Sequence, residues 1–545
     1  MLFSRNRFLV WPALAIMGLG VVLLWSQVKS GFPAGAGRPA PEVGKALRYV
    51  NPLNIEADSK DGSPSGVSLG DPTVVRDGNK YYMFATGGGP WVSQDMVTWR
   101  YAPLSATGAR VPVAPHVVKY NGAYYMTGNS SPLYRSTNIL GPYEEVGPWL
   151  DEQGTPIDLG NDGYWISMTP VKKLRVFDPC IFVDSDNKPY VYMSFAGTYG
   201  IWGAPLDPKN LNRLSAAPKT LFSFNNDHVW ERSGNANERN HLAYIEGPWM
   251  FKRNGTYYLE YSASGTEWLT YATGVYTAKS PLGPFTYMRG NPLLRQVYGL
   301  AAGPGHGSVI QGSDGNYWQF YLTVLPNPPG GRRIGMDPIG FDAEGNMFVR
   351  GGVPTETPQW APGVVQDPVR DGNCGSVPLT LGKIRNLLAS SNAPGRDPAY
   401  ALDNSNGTWW EPAESDVQPS MTVDLLSIAP FDRPYTVDSS RIIFTARASM
   451  DLGRGAEAPK FSGAPAFQYR IEGSLDGKEF TTLVDRTRNN VLRYTEFEEI
   501  SPRRCRFVRL TVADWPRSVQ QPLGISEFTV FGKYIETETK AGSAR

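Results

Sequence analysis

The sequence predicts an all-β fold, a five-bladed β-propeller followed by a β-sandwich of the jelly-roll type. Three observations lead to this prediction. The chain of 545 residues is rich in Tyr, Trp, Gly and Pro, and only 19% of its residues are charged, a mixture typical of turn-rich β structure. A hairpin pattern recurs five times before residue 355. Beyond residue 378, strand patterns alternate with loops, and no long helical period interrupts either region.

The repeat that predicts the propeller has one plan. A small or acidic residue opens it, a short strand follows, then a turn built on Asn, Gly or Asp, and finally an aromatic-rich strand. The five copies begin at Asp71, Ala114, Asp178, Glu246 and Gly305, and their spacing leaves room for further strands in each copy. Hairpins repeated at such an interval are typical of propeller blades.

The openings of the repeats form the candidate site. In a propeller the first strand of each blade lines the central channel, so residues at the starts of these strands converge at one mouth. The residues at these positions are Asp71, Pro115 with His116, Asp178, Glu246 and His306. An Asp before Pro is also a common way to start a turn. Three acids at equivalent positions nevertheless favour a shared function, because like charges placed together destabilise a fold.

Paired carboxyl groups are the equipment of glycoside hydrolysis. One carboxyl group is protonated and donates to the leaving oxygen, while another is ionised and activates water or attacks the sugar. A third carboxylate can raise the pKa of the acid and orient it. Asp71, Asp178 and Glu246 fit this scheme.

These motifs together resemble glycoside hydrolase family 43. The resemblance rests on the early Asp71, on Asp178 followed by PCIFVDSDNKPY, on EGP from Glu246 and on GHGS from Gly305, and it covers residues 45–355. It implies a five-bladed propeller that hydrolyses glycosides with inversion. By the same resemblance Asp71 would be the general base, Glu246 the general acid, and Asp178 the residue that modulates the pKa of Glu246 and positions it.

The resemblance also implies a metal role for His306, which matches a family histidine near the channel centre that often helps to hold calcium. Calcium prefers oxygen ligands, so a single histidine is a weak indication. His306 could equally be a packed core residue or a substrate contact. No other cofactor is expected.

Four further residues are candidates for substrate binding. Arg332 and Arg333 follow the fifth hairpin, where related enzymes bind substrate hydroxyls through an arginine; the alternative is a solvated basic turn. His116 stands where the family more commonly has Asp, and it could face the pocket. Trp91 could stack on a sugar ring, as could Trp230 and Trp268, although packing is the more common use of tryptophan.

Residues 356–377 are predicted to be a linker, and 378–534 a second domain. The stretches ALDNSNGTWWEP and LGISEFTVFG resemble discoidin, or coagulation-factor C-type, domains, which are jelly rolls and include carbohydrate-binding module family 32. By this resemblance the domain would bind glycan through its loops. Trp409 and Trp410 would either contribute a stacking surface or fill the core, and we favour the core. Residues 535–545 form a polar tail.

The N-terminus predicts export. Arg5 and Arg7 precede the uncharged apolar run Phe8–Trp25, so residues 1–30 are a cleaved signal peptide or a retained membrane anchor. The two arginines favour a cytoplasmic N-terminus, which puts the bulk of the chain in an extracellular, cell-surface or periplasmic location. Residues 31–44 are rich in Gly, Pro and Ala and form a flexible linker.

Charge and cysteine content narrow the classes of function. The net charge of +1 argues against a nucleic-acid binder that works through bulk charge. Cys374 and Cys505 could form a disulfide in an oxidising compartment or remain buried thiols. Cys180 is expected to be a small buried hydrophobe, because no histidine lies in an obvious pairing motif with it.

The favoured interpretation is an exported inverting glycosidase, exo-acting, that releases arabinofuranose, galactofuranose or xylose from polysaccharide. The choice of sugar rests on resemblance alone. Two alternatives stay open, a non-catalytic glycan-binding propeller and a retaining propeller hydrolase of the fructan-active type. The separation of the carboxyl groups distinguishes inversion from retention, and the sequence does not supply it.

Overall fold

The computed structural model describes residues 46–57, 68–157, 175–194, 200–240, 243–325, 331–382, 387–426, 435–445, 462–517 and 522–534. The predicted signal or anchor segment (1–30), the linker 31–44 and the polar tail 535–545 lie outside these residues. Across the described ranges, no helix has the length and apolar character needed to cross a membrane.

Strands dominate the described chain, and the all-β prediction is confirmed. After a short strand β1 (Arg48–Tyr49), five antiparallel sheets follow one another along the sequence. The first sheet contains β2 (Gly70–Asp77), β3 (Lys80–Thr86), β4 (Gly88–Ser93) and β5 (Arg100–Tyr101), and the second contains β6 (His116–Tyr120), β7 (Ala123–Thr127), β8 (Leu133–Ser136) and β9 (Glu144–Gly147). The third contains β10 (Cys180–Val183), β11 (Pro189–Ser194), β12 (Gly200–Asp207), β13 (Asn210–Leu214) and β14 (Lys219–Ser223), and the fourth contains β15 (Glu246–Arg253), β16 (Thr256–Ala263), β17 (Ala272–Ala278), β18 (Thr286–Tyr287) and β19 (Leu294–Arg295). The fifth contains β20 (Gly305–Gln311), β21 (Tyr317–Leu325), β22 (Gly331–Phe341) and β23 (Met347–Val349).

Each sheet begins with one of the hairpins that the sequence predicts. Two of these hairpins turn at Asn121-Gly122 and at Asn254-Gly255, where both residues have positive φ, the backbone of a type I′ turn. The first strands β2, β6, β10, β15 and β20 contact one another in that order, and β20 contacts β2 in turn. The five first strands therefore close a ring.

The start of each first strand has a special backbone. The residues with left-handed φ there are Asp71, Ala114, Asp178, Gly247 and His306, and each precedes a proline or a glycine. The pairing register of the first and second strands shifts beside Asp71, Gly247 and His306, which marks a β-bulge. A bulge re-aims the local side chains without breaking the sheet. Asp71 of the Asp71-Pro72 pair lies in such a bulge, outside the regular ladder, whereas Asp178-Pro179 stands before the first residue of β10.

Two further antiparallel sheets form a C-terminal domain. After β24 (Gln359–Trp360) and the one-turn helix α1 (Pro368–Asp371), the strands are β25 (Val377–Pro378), β26 (Leu387–Ala389), β27 (Ser420–Asp424), β28 (Tyr435–Phe444), β29 (Ser462–Ser474), β30 (Thr481–Asp485), β31 (Thr495–Cys505), β32 (Phe507–Arg517) and β33 (Ile525–Tyr534). One sheet has the order β25-β33-β28-β31 and the other β26-β27-β32-β29-β30. Their inner faces share one hydrophobic core, which contains Trp410. Trp409 is also buried, so both tryptophans pack as expected.

The segment before the first sheet joins the C-terminal domain to the five sheets. Strand β1 pairs with β24, and Ala57 lies in the core of the C-terminal domain. The Arg48 guanidinium donates to the Asp438 carboxylate and carbonyl, at 3.1 and 2.7 Å. Arg441, only 1% exposed, donates to the Asn51 carbonyl at 2.6 Å. We call this contact region the domain junction.

Residues 356–377, predicted to be a linker, take part in these contacts. The Glu356 carboxylate accepts hydrogen bonds from the backbone N–H groups of Leu300 and Ala301, and from the side chain of Asn404 in the C-terminal domain. The segment is therefore packed along at least part of its length. Cys374 and Cys505 are buried free thiols, so the disulfide alternative is not seen.

Candidate active site

A pocket of roughly 190 Å³ opens where the first strands begin. Its walls come from strands of the first, fourth and fifth sheets and from loops, including those beside the second and third sheets. The lining residues are Asp71, Val113, Asn129, Phe177, Asp178, Tyr244, Glu246, Thr266, Glu267, His306 and Arg332. Of the residues that the sequence singles out, the three acids, His306 and Arg332 meet here.

Asp71 is held from three sides. Its Oδ2 accepts a hydrogen bond from the Thr86 hydroxyl at 2.5 Å and lies 3.4 Å from a guanidinium nitrogen of Arg332. Its Oδ1 lies 3.2 Å from Nδ1 of His306. The carboxylate is 6% exposed, so its orientation is set by the protein and little by solvent. Thr86 also accepts a hydrogen bond from the backbone N–H of Ala114, which links the first two sheets at this point.

Asp178 lies deeper and touches the strand that carries Glu246. Its Oδ2 accepts the backbone N–H of Gly247 at 3.0 Å and lies 3.7 Å from Nδ1 of His306. Its own backbone N–H donates to the side-chain oxygen of Asn129. Burial raises the pKa of Asp178, His306 opposes this rise, and the negative charge of Asp71 adds to it.

Glu246 is a buried carboxyl group whose surroundings favour its protonated form. It is 7% exposed, and burial raises its pKa well above the ordinary value, with the charge of Asp178 as the next cause. The Tyr271 hydroxyl donates to its Oε1 at 2.8 Å and acts in the opposite direction. A buried acid beside a second carboxylate is the usual arrangement for a group that donates a proton near neutral pH.

His306 joins Asp71 and Asp178 through one ring nitrogen, Nδ1, and its backbone N–H donates to Ser262. Only Nε2 is therefore left for a metal. Within the described part of the chain, no group of three or more His, Cys, Asp or Glu side chains is arranged to hold a metal ion. The described side chains would therefore give a calcium ion at this point a single ligand, the Nε2 nitrogen of His306.

The side chains of the neighbouring residues Arg332 and Arg333 lie in different regions of the protein. Arg332 enters the pocket, where its guanidinium contacts Asp71 and donates to the Thr266 hydroxyl at 3.0 Å. Arg333 lies at the domain junction, 7% exposed, and donates to the Phe444 carbonyl at 3.0 Å. Burial lowers its pKa to about 10. The expectation of a substrate-binding Arg333 is corrected, because side chains alternate along β22 and only Arg332 takes the pocket side.

His116 and Trp91 are not pocket residues either. His116 is 4% exposed, its Nε2 lies 2.9 Å from the Ile181 carbonyl, and burial lowers its pKa to about 4, so it is a neutral interior group. The position equivalent to Asp71 in the second sheet is Ala114, two residues earlier. Trp91 is fully buried and donates to the Glu56 carbonyl. Both side chains pack because the sheets stack tightly on one another.

The other tryptophans and Cys180 also belong to the packing. Trp230 is buried and donates to the Tyr287 hydroxyl, and Trp268 stacks against the Arg239 guanidinium outside the pocket lining. Burial raises the pKa of the Cys180 thiol to about 12, which fits a buried hydrophobe and not a nucleophile.

Several pocket residues have no sequence signal that would identify them. Tyr271 and Thr86 bind the acids directly, and Asn129 holds the backbone of Asp178. Glu267 and Tyr244 line the wall beside Glu246. All of them lie at strand ends or in loops, where no periodicity indicates direction. The position of Asn129, just after the second hairpin, is the one cue that could have been used.

The geometry offers one carboxyl group that favours the proton, a second carboxylate beside an arginine, and a third between them. Comparisons with known proteins identify similar sequences and structures. The model of glycosyl hydrolases family 43 matches residues 66–347. A xylan 1,3-β-xylosidase of a Vibrio species is 25% identical over 296 residues, 48% of this chain and 49% of that protein.

Other relatives carry different names. A β-xylosidase of Xylanibacter ruminicola is 27% identical over 203 residues, 33% of this chain and 59% of that protein. A β-D-galactofuranosidase of Aspergillus niger is 26% identical over 198 residues, 36% of this chain and 48% of that protein. The chain spans about half the length of the curated relatives it matches.

Among solved structures, a thermostable family-43 glycoside hydrolase matches with a TM-score of 0.45 and 26% identity, over 58% of this chain and 99% of that one. The family model itself covers more than half of the sequence and includes every acid of the pocket. The chain therefore belongs to glycosyl hydrolases family 43.

Proposed function

We propose that the protein is a glycosidase that cleaves O-glycosyl bonds with inversion. The observation that carries this proposal is the unequal state of the pocket acids: Glu246 is buried beside Asp178, which favours its protonated form, whereas Asp71 faces the Arg332 guanidinium. Glu246 would donate its proton to the leaving oxygen as the glycosidic C–O bond breaks. Asp71 would take a proton from the water whose oxygen bonds to the anomeric carbon. Asp178 would modulate the pKa of Glu246.

The fold proposed for this activity is a five-bladed β-propeller with a discoidin-like jelly roll at the C-terminus. The closed ring of first strands supports the propeller, since blades arranged around an axis bring those strands together. The two sheets with one core support the jelly roll. We propose that this domain stabilises the propeller, because Arg48 and Arg441 bind across the domain junction.

The proposed substrate is a polysaccharide or oligosaccharide, from which one terminal sugar is released. The modest volume of the pocket supports an exo mode of action. Arabinofuranose, galactofuranose and xylose are the candidate sugars, and the names of the relatives include xylosidases and a galactofuranosidase. The apolar run Phe8–Trp25 supports export, with cleavage or with retention as a membrane anchor.

Calcium remains a separate proposal. His306 would offer Nε2, and water molecules would complete the coordination, because calcium prefers oxygen ligands. Thorough chelation followed by thermal unfolding and activity assays tests this. A lower melting temperature that added calcium restores would support the site, and an unchanged protein would remove calcium from the mechanism.

The experiment that tests the function is a proton NMR time course on aryl arabinofuranoside, galactofuranoside and xyloside. Release of one sugar as the inverted anomer would support the proposal and name the sugar. Release with retention would give Asp71 the role of nucleophile. If none of the three is cleaved, a polysaccharide panel would distinguish an endo-acting enzyme from a glycan-binding propeller.

A further inference from the structure

Tyr271 touches the proposed general acid and has no part in the scheme above. It lies directly before β17 and is fully buried. Its hydroxyl donates to Oε1 of Glu246 at 2.8 Å, and its backbone N–H is bonded to the Trp268 carbonyl. The ring packs with Leu322 and Val324 of the fifth sheet. Tyr271 therefore bridges the fourth and fifth sheets at the site of the acid.

Gly305, the first glycine of the GHGS motif, lies against the ring of Tyr271. A Cβ placed on Gly305 would lie 2.3 Å from a ring carbon of Tyr271, closer than real Cβ contacts come. Gly305 pairs with Leu322 and directly precedes His306, so it cannot move away without disturbing the pocket. The tyrosine ring is thus fixed by a wall that only glycine can provide at this position.

We infer that Tyr271 is the positioning residue of the general acid, holding Oε1 of Glu246 so that the transferable proton resides on Oε2. This inference rests on the proposed function. A protonated carboxyl group has one O–H and one oxygen that remains free to accept. Because the tyrosine hydroxyl donates to Oε1, the O–H of Glu246 belongs on Oε2. Tyr271 would act through Glu246 and would not touch the substrate.

The hydrogen bond also affects when the acid is protonated. Burial and Asp178 raise the pKa of Glu246, with Glu267 and Asp71 adding to the rise, and the hydrogen bond from Tyr271 lowers it. The other titratable or charged groups at the pocket are Tyr244, His306 and Arg332. Loss of the Tyr271 donor destabilises the ionised form of Glu246, so its pKa rises further. Activity that needs the protonated acid then extends to higher pH.

The test is Tyr271→Phe in the full chain, with kcat/KM measured across pH on two glycosides of the same sugar. One carries an alkyl or sugar leaving group that needs protonation, and the other an activated aryl group that does not. We expect the basic limb to move up by on the order of one pH unit. We also expect kcat to fall on the first substrate by roughly 10-fold or more, with KM little changed, and to fall less on the second.

Tyr258→Phe is the matched control. Tyr258 is equally buried in the fourth sheet, and its hydroxyl donates to the Gly345 carbonyl. Its loss should lower stability without moving the pH profile. A basic limb of Tyr271→Phe that coincides with wild type would overturn the inference, even if activity falls. A Glu246→Gln variant with full activity on both substrates would instead mean that the proposed function itself has failed.

Discussion

The pocket and the domain junction both bury charged groups, with opposite arrangements. In the pocket, Asp71, Asp178 and Glu246 share a small space. In addition to burial, the charge of Asp71 raises the pKa of Asp178, and the charge of Asp178 raises the pKa of Glu246. At the junction, buried arginines donate to backbone carbonyls and to the buried Asp438 carboxylate. Arg48, for example, donates to the Asp438 carbonyl and carboxylate and lies 3.5 Å from Glu499.

This difference indicates that the pocket serves activity and the domain junction serves stability. A junction that gives acceptors to the terminal nitrogens of its buried arginines contributes to stability and specificity of association, although Nε of Arg333 and Nε of Arg441 meet no acceptor among the described residues. A pocket that gathers like charges is retained at a cost in stability, and perturbed acids of this kind cluster at functional sites. Substitutions in the pocket should therefore change activity more than stability, and substitutions at the junction should do the reverse.

The largest effect is expected for Glu246→Gln. Loss of the proton donor should lower kcat/KM on a natural glycan by about 10²- to 10⁴-fold. The free energy of unfolding should change little, since Glu246 already favours its neutral form and Gln has the same size. Steady-state kinetics measure the loss of kcat/KM, and denaturant unfolding measures the free energy of unfolding. Full activity on the natural glycan would mean that Glu246 is not the acid.

Arg441→Met probes the junction in the same way. Arg441 is 1% exposed and binds the Asn51 and Glu356 carbonyls and the Thr529 hydroxyl. Its loss should lower the free energy of unfolding by about 3 kcal/mol, because buried acceptors lose their donor. Urea unfolding at constant slope measures this. Activity of the folded fraction should be unchanged.

Arg370→Met is the control for that measurement. The Arg370 side chain is 73% exposed and pairs with Asp371 on the surface. Surface pairs of this type contribute little, so no change in the unfolding midpoint is expected. Equal destabilisation by Arg370→Met and Arg441→Met would refute the claim that the junction arginine is structurally important.

Arg332 and Arg333 offer the comparison within two adjacent residues. Arg332→Met removes the pocket guanidinium that contacts Asp71, and should raise KM by roughly 10-fold or more with a small change in stability. Arg333→Met removes a donor to Phe444 at the junction and should lower stability by about 1–2 kcal/mol with KM little changed. Michaelis–Menten kinetics and thermal unfolding of both variants measure the changes in KM and in stability. A raised KM in Arg333→Met at normal stability would show that the two regions are coupled.

The smallest effect concerns pH and Glu260, a buried acid of β16 outside the pocket lining. Burial raises its pKa to about 8, from an ordinary value near 4.5. Between these two values the unfolded chain is ionised at this position and the folded chain is not, so stability falls as pH rises. The fall in melting temperature from pH 5 to pH 8 should be smaller in Glu260→Gln. Glu344→Gln, at an exposed position, should leave the fall unchanged.

Much of this architecture is encoded locally and was open to prediction. Strand alternation, turns such as Asn121-Gly122 and the small or acidic openings identify the hairpins, because these signals depend on a few neighbouring residues. The acids Asp71, Asp178 and Glu246 were found in the same way, since their place in the repeat is a property of the sequence. They do meet in one pocket.

Side-chain direction was decided only by the tertiary structure. The left-handed backbone at the start of each first strand shows that Ala114, and not His116, is the counterpart of Asp71. Stacking of the sheets buries Trp91. Arg333 donates to the C-terminal domain, whereas its neighbour Arg332 contacts Asp71 in the pocket.

Tyr271 shows most clearly what the sequence does not determine, because its partner Glu246 lies 25 residues earlier and its close neighbour Gly305 belongs to another sheet. The sequence by itself determined which residues could form strands, turns and an acidic site. Packing among sheets determined which side chains reach that site, because direction at a bulge or a domain junction depends on contacts between segments distant along the chain.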